Sequence, residues 1–215
     1  ILNSVGVRSL LRDYINLKNE RPSNLHSQIL NFALNYSKQD NKFKLVSFLR
    51  LWGPDNLRDS DFDDSHGNDG KPIPSLMSRI ARVVVNYPIN EVQEFVELLP
   101  RRKNEFIEMM KEHYFWKLYH STDGDVDTST WNLFREYLTF FPDAPASLAH
   151  SKVLGLAERV MKGNNVWRFY DFFRLWNPEK LRDDDWKEKK GNNGETYKPL
   201  AVKSLKKARE AIEDL

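Results

Sequence analysis

The chain has 215 residues, of which 40% are apolar, 13% aromatic and 30% charged. That composition excludes a disordered chain and leaves enough apolar material for a substantial core. With 33 basic and 31 acidic residues the net charge is +2, so no global field attracts nucleic acid or anionic membrane. There is no cysteine; disulfides, thiolate metal sites and cysteine nucleophiles are excluded, which fits a reducing, cytoplasmic compartment.

Apolar spacing is helical along the whole chain. After Leu11-Arg12-Asp13-Tyr14-Ile15, the residues Leu25, Ile29, Phe32, Ala33 and Tyr36 form one stripe on a 3.6-residue period. Leu45, Phe48, Leu49 and Trp52 form the next, followed by Leu76, Ile80, Val84 and Tyr87. Asn90 and Gln93 have the spacing of a capping box that opens the stripe Val92, Phe95, Val96 and Leu99. Ile107, Met110, Tyr114 and Leu118 come next, then Trp131, Phe134, Leu138 and Phe141. The ten prolines, from Pro22 to Pro199, fall between stripes or at their starts, as the cost of a helix-interior proline requires. No stretch alternates like a strand. The reading is all-α with nine or ten helices, and no apolar run reaches the ~18–20 residues of a membrane span. The chain opens on Ile1 rather than Met and stops in the helical-looking Ser204–Leu215, which reads as a piece of a longer protein.

The chain also matches itself. Residues 26–76 align without a gap on residues 150–200, offset by 124, with 19 of 51 positions identical; chance predicts roughly three. The match centres on Trp52, Pro54, Leu57, Arg58, Asp59 and Asp61, which return as Trp176, Pro178, Leu181, Arg182, Asp183 and Asp185. Upstream, Tyr14 and Pro22 parallel Tyr137 and Pro145 at offset 123, with Ala149 as the extra residue. The expected organisation is one α-helical repeat domain over 1–215, with units at about 9–85 and 132–209 and bridging helices in 89–126. A 124-residue period accommodates three helical hairpins of ~40 residues, the size of α-solenoid repeats.

The doubled Leu-Trp-x-Pro-x-x-Leu-Arg-x-x-Asp-aromatic corner and the hairpin spacing resemble a group of uncharacterised bacterial proteins with degenerate tetratricopeptide-like repeats, some linked to genome-conflict loci. The resemblance implies an α-hairpin repeat fold and carries no settled biochemical role.

The corner motif reads as a staple in which the Arg58 guanidinium pairs with Asp59 or Asp61, and that of Arg182 with Asp183 or Asp185, or each with local carbonyls; the alternative is a recognition surface for a ligand or partner. A calcium loop over Asp59–Asp64 fails because Asp64 stands where glycine is required and Gly70 where glutamate is required. Asp123–Asp127 fails in the same way, so no metal or cofactor is expected. Gly67-Asn68-Asp69-Gly70 and Gly191-Asn192-Asn193-Gly194 are turn chemistry. His26 and His150, each followed by serine, read as structural histidines. Arg101-Arg102-Lys103 opens a helix, where positive charge opposes the dipole. The expected function is a non-catalytic interaction scaffold for a protein or peptide partner. The alternative is nucleic-acid binding through Lys187, Lys189, Lys190, Lys203, Lys206, Lys207 and Arg209, interleaved with Trp186 and Tyr197.

Overall fold

A computed structural model describes residues 4–17, 23–40, 43–123, 127–161 and 166–213. Pro22 and the Gly124-Asp125-Val126 centre of the second acidic stretch lie outside the described residues. Ten α-helices are present among them: α1 (Ser4–Leu17), α2 (Asn24–Ser37), α3 (Leu45–Trp52), α4 (Leu76–Val84), α5 (Ile89–Glu97), α6 (Lys103–Ser121), α7 (Thr128–Phe140), α8 (Leu148–Val160), α9 (Val166–Trp176) and α10 (Leu200–Glu213). The protein is all-α in its bulk. It forms two compact units, Ile1–Met110 and Lys111–Leu215, with the boundary inside α6.

Four two-residue strands also occur, which the sequence reading did not expect. β1 (Ser65–His66) pairs antiparallel with β2 (Pro72–Ile73), and β3 (Lys189–Lys190) with β4 (Thr196–Tyr197). Each ribbon closes around its Gly/Asn turn, where Gly70 and Gly194 take φ of 74° and 81°, conformations that glycine adopts without a steric cost. Two residues per strand are too few to show alternation in a sequence.

Within the first unit, α2 packs against α3 and α4, and α5 lies on α3; within the second, α10 packs against α8 and α9, and α9 also meets α7. The order helix, helix, paired 3-10 turns, ribbon, helix runs from α2 to α4 and again from α8 to α10. Asn24 and Leu148 start those runs. Ser23 and Ser147 are the N-caps, so offset 124 extends through the helix starts.

Two further expectations shift. The buried side of α2 is His26, Leu30, Ala33 and Leu34, whereas Leu25 and Phe32 are exposed. The helical period is as read, but the phase is rotated because a buried histidine counts as polar in any apolar scan. The capping box at Asn90 is absent: α5 already begins at Ile89, with Pro88 as N-cap and no side-chain cap. Proline's fixed φ suits it to a helix start.

Candidate interaction site

In the first unit, α3 ends at the fully buried Trp52, and the chain reverses at Gly53 with φ of 87°. Asn177 takes φ of 74° at the equivalent place, and its Oδ1 accepts from the Glu179 amide at 3.0 Å. Glycine and asparagine are the residues that tolerate this backbone. The 3-10 turns Pro54–Asn56 and Asp59–Asp61 follow, as do Pro178–Lys180 and Asp183–Trp186.

The corner is stapled, but not by the expected guanidinium–carboxylate pairs. The backbone amide of Arg58 donates to Asp61 Oδ2 at 2.9 Å, and that of Arg182 donates to Asp185 Oδ2 at 2.9 Å. Both aspartates are buried. The three-residue spacing lets each carboxylate reach back and cap its own turn. The guanidinium groups remain near water: that of Arg58 contacts Asn24 Oδ1 at 3.4 Å, and that of Arg182 pairs with Asp184 at 3.2 Å. Asp59 is claimed instead by Arg101, at 3.4 Å.

Arg101 and Arg102 form a clasp over the first corner. Arg101 donates to the Leu57 carbonyl, and Arg102 to the Asp59 carbonyl at 2.8 Å and to Asp63 at 3.0 Å. Arg102 also makes a two-toothed pair with Glu105, at 2.6 and 2.7 Å, and its guanidinium lies 4.7 Å from the Phe62 ring centroid. Its φ of 52° is costly for a side chain with a Cβ, and the contacts it gains offset that cost. Hydrogen bonding to Glu105 raises its already high pKa further. Asp64 accepts from the Ser75 amide at 2.8 Å, so the carboxylates of the rejected calcium loop serve protein bonds.

The second corner has no such clasp among the described residues. Pro54, Leu57 and Phe62 are buried, whereas Pro178 is exposed, Leu181 half-buried and Trp186 52% exposed. Lys187 stands where the first corner has Asp63, and pairs with Asp184 at 2.7 Å.

Behind the corner lies a polar cluster that the sequence reading saw only in parts. His150 is 2% exposed and stacks on Trp176, with centroids 4.3 Å apart and planes at 10°. Its Nε2 faces the Trp176 carbonyl at 3.2 Å and its Nδ1 the Tyr137 hydroxyl at 2.7 Å. A carbonyl can only accept, so Nε2 carries the proton and Tyr137 donates to Nδ1. Trp176 Nε1 donates to the His150 carbonyl at 3.1 Å, and Ser151 Oγ to Asp185 at 2.6 Å. Burial pushes the His150 pKa down to about 4, with nearby Lys111 and Lys180 adding to the shift. Serine, histidine and aspartate thus meet here, but the histidine is bonded to Tyr137 and Trp176 rather than to Ser151, so no nucleophile relay exists. Lys111 is fully buried and donates to Ser147 Oγ at 3.3 Å. The pairs His26/His150 and Tyr14/Tyr137 in the self-match carried the signal for this cluster; nothing in the sequence marked Lys111.

The basic C-terminal residues are largely committed. Lys187 pairs with Asp184, Lys203 and Lys207 with Glu158, Lys206 with Glu210, and Arg209 with Glu213. Lys189 and Lys190 are exposed on β3.

A concavity lies in the second unit, between α7 and α9. It encloses about 310 Å³ and is lined by Trp131, Leu138, Phe172 and Leu175, with Arg135, Arg168, Arg174 and Asp171 among the polar groups. Arg168 lies 4.8 Å from the Trp131 centroid. Leu175 is 60% exposed. Among the described residues no group of three His, Asp or Glu side chains is placed to hold a metal, and no helix is long and apolar enough to cross a membrane.

No family model, curated protein or solved structure matches the chain.

Proposed function

We propose that this chain is a non-catalytic scaffold that presents a helical-repeat surface to a protein or peptide partner. In this reading it is a duplicated α-hairpin repeat of the tetratricopeptide-like, α-solenoid kind, and the recurrence of α2–α4 as α8–α10 supports the duplication. The observation that carries the reading is the α7–α9 cleft, an apolar floor with arginines at its edge and of a size suited to anchoring side chains. The titratable groups that could have done chemistry support it too, since His150, Ser151 and Asp185 are buried and bonded to one another's neighbours. The alternative, nucleic-acid binding through the basic C-terminal quarter, loses weight because five of its seven cations are ion-paired.

The test is selection of displayed random peptides on the immobilised chain, with a Leu175→Asp variant as counter-selection. Enrichment that the variant abolishes supports the scaffold reading. Failure to enrich, together with oligothymidylate binding whose affinity falls steeply with salt, overturns it in favour of the alternative.

A further inference from the structure

The first unit contains a worked example of what its α3 face binds. There α5 lies on α3, with Glu91 paired to Lys44 at 3.5 Å and Glu94 paired to Arg50. The two carboxylates sit three residues apart along one edge of α5, and the adjoining Val92, Phe95 and Val96 are buried. The chain then delivers Arg101 and Arg102 onto the corner, covering Phe62. Residues 89–102 act as a strap: an acidic amphipathic helix followed by arginines.

The second unit repeats the acceptor. The residues 124 positions beyond Lys44, Arg50 and Leu51 are Arg168, Arg174 and Leu175, and all three line the α7–α9 cleft. Arg174 is exposed, as is Arg135 across the cleft on α7, and neither has an ion-pair partner among the described residues. The corner aromatic that matches Phe62 is the exposed Trp186. The corner is thus open where the first unit has it covered, and among the described residues Arg174 lacks the carboxylate partner that Glu94 gives Arg50, while Leu175 and its counterpart Leu51 are both exposed.

We propose that the α7–α9 cleft of the second unit binds an acidic amphipathic helix of a partner polypeptide, with two carboxylates three residues apart and apolar side chains entering beside Leu175. Charge complementarity argues for this occupant: three arginines against Asp171 line the seat, and the α3 cations at two of the matching positions, Lys44 and Arg50, already pair with Glu91 and Glu94 of the strap. Lys187 in place of Asp63 removes one contact of the arginine clasp, so the helix rather than the following arginines carries recognition. This deepens the scaffold reading and rests on it.

The experiment uses a helix-stapled, fluorescent peptide of residues 88–99, titrated with the full chain and read by anisotropy. Saturable binding is expected, weakened about tenfold or more by Arg174→Glu, equivalent to ~1.4 kcal/mol. A peptide carrying Glu94→Lys should bind the Arg174→Glu protein at least as well as the native pair, a rescue that misfolding cannot produce. Binding unaffected by Arg174→Glu would mean that the peptide exchanges with its own copy in the first unit, and overturns the proposal; so does absence of binding. If displayed peptides are enriched at the cleft while the α5 peptide fails, the helix chemistry falls and the scaffold reading stands. If neither binds, both fall.

Discussion

The two corners share a motif and differ in what covers them. In the first unit Arg101 and Arg102 reach over the turn, Asp59 and Asp63 answer them, and Pro54, Leu57 and Phe62 are shut away from water. In the second, Lys187 folds back onto Asp184, and Pro178 and Trp186 face solvent. Behind the corners the contrast reverses. Tyr137, His150 and Trp176 form a closed set of hydrogen bonds with rings stacked at 4.3 Å. The matching His26 and Trp52 rings lie 6.3 Å apart at 67°, His26 Nδ1 turns to Ser23 at 3.0 Å, and among the described residues neither His26 Nε2 nor Ser27 Oγ has a hydrogen-bond partner. A buried polar cluster is sensitive to small shifts in packing. The same residues therefore support a turn from inside in one unit, and lean on a clasp from outside in the other.

The largest effect that would sharpen this contrast is truncation of the corner tryptophans. Trp52→Ala and Trp176→Ala should each cost ~3–5 kcal/mol in denaturant unfolding, with Trp176 the costlier because the change also removes the indole N–H that donates to the His150 carbonyl and the ring stacked on His150. Equal losses would show that the bonded cluster adds nothing to the burial.

Next comes pH. The His150 pKa is about 4 in the folded chain and ~6.5 when unfolded. The unfolded state therefore binds the proton first, and stability falls as pH drops from about 6.5 to 4. The loss is on the order of 3 kcal/mol at the foot of that window. Unfolding midpoints followed across it should show the slope in the native chain, and His150→Gln should flatten it. An unchanged slope in that variant would place the titration elsewhere.

A smaller difference separates the two capping aspartates. Asp185→Asn weakens an acceptor for both the Arg182 amide and Ser151, whereas Asp61 accepts from the Arg58 amide. The expected losses are ~2 and ~1 kcal/mol by thermal or chemical unfolding; a reversed order would break the assignment of inside and outside support.

The smallest effect is the arginine swap. With their guanidinium groups near solvent and their amides doing the capping, Arg58→Lys and Arg182→Lys should each move stability by no more than ~0.5 kcal/mol. A drop above 1 kcal/mol in either would restore the planar-fork staple that the residue types suggest.

Much of the architecture could be read from the residues alone. Helical periods and proline positions follow from local backbone chemistry, and the corner aspartates stand at the spacing their capping demands. The burial of Trp52 and Trp176 also follows, because a tryptophan ending an apolar stripe has one inward direction. Other features depend on neighbours distant in the chain. Which side of α2 faces inward was set by the pocket around His26, not by counting apolar residues. The partner of Asp59 turned out to be Arg101, 42 positions on, and no spacing rule reaches that far. Leu51 and Leu175 are alike exposed; what differs is that α5 places Glu91 and Glu94 beside the α3 cations Lys44 and Arg50, a pairing set by residues 44 or more positions away in the chain. Local propensity specifies the elements; long-range packing decides which of two similar corners is covered and which stays open to solvent.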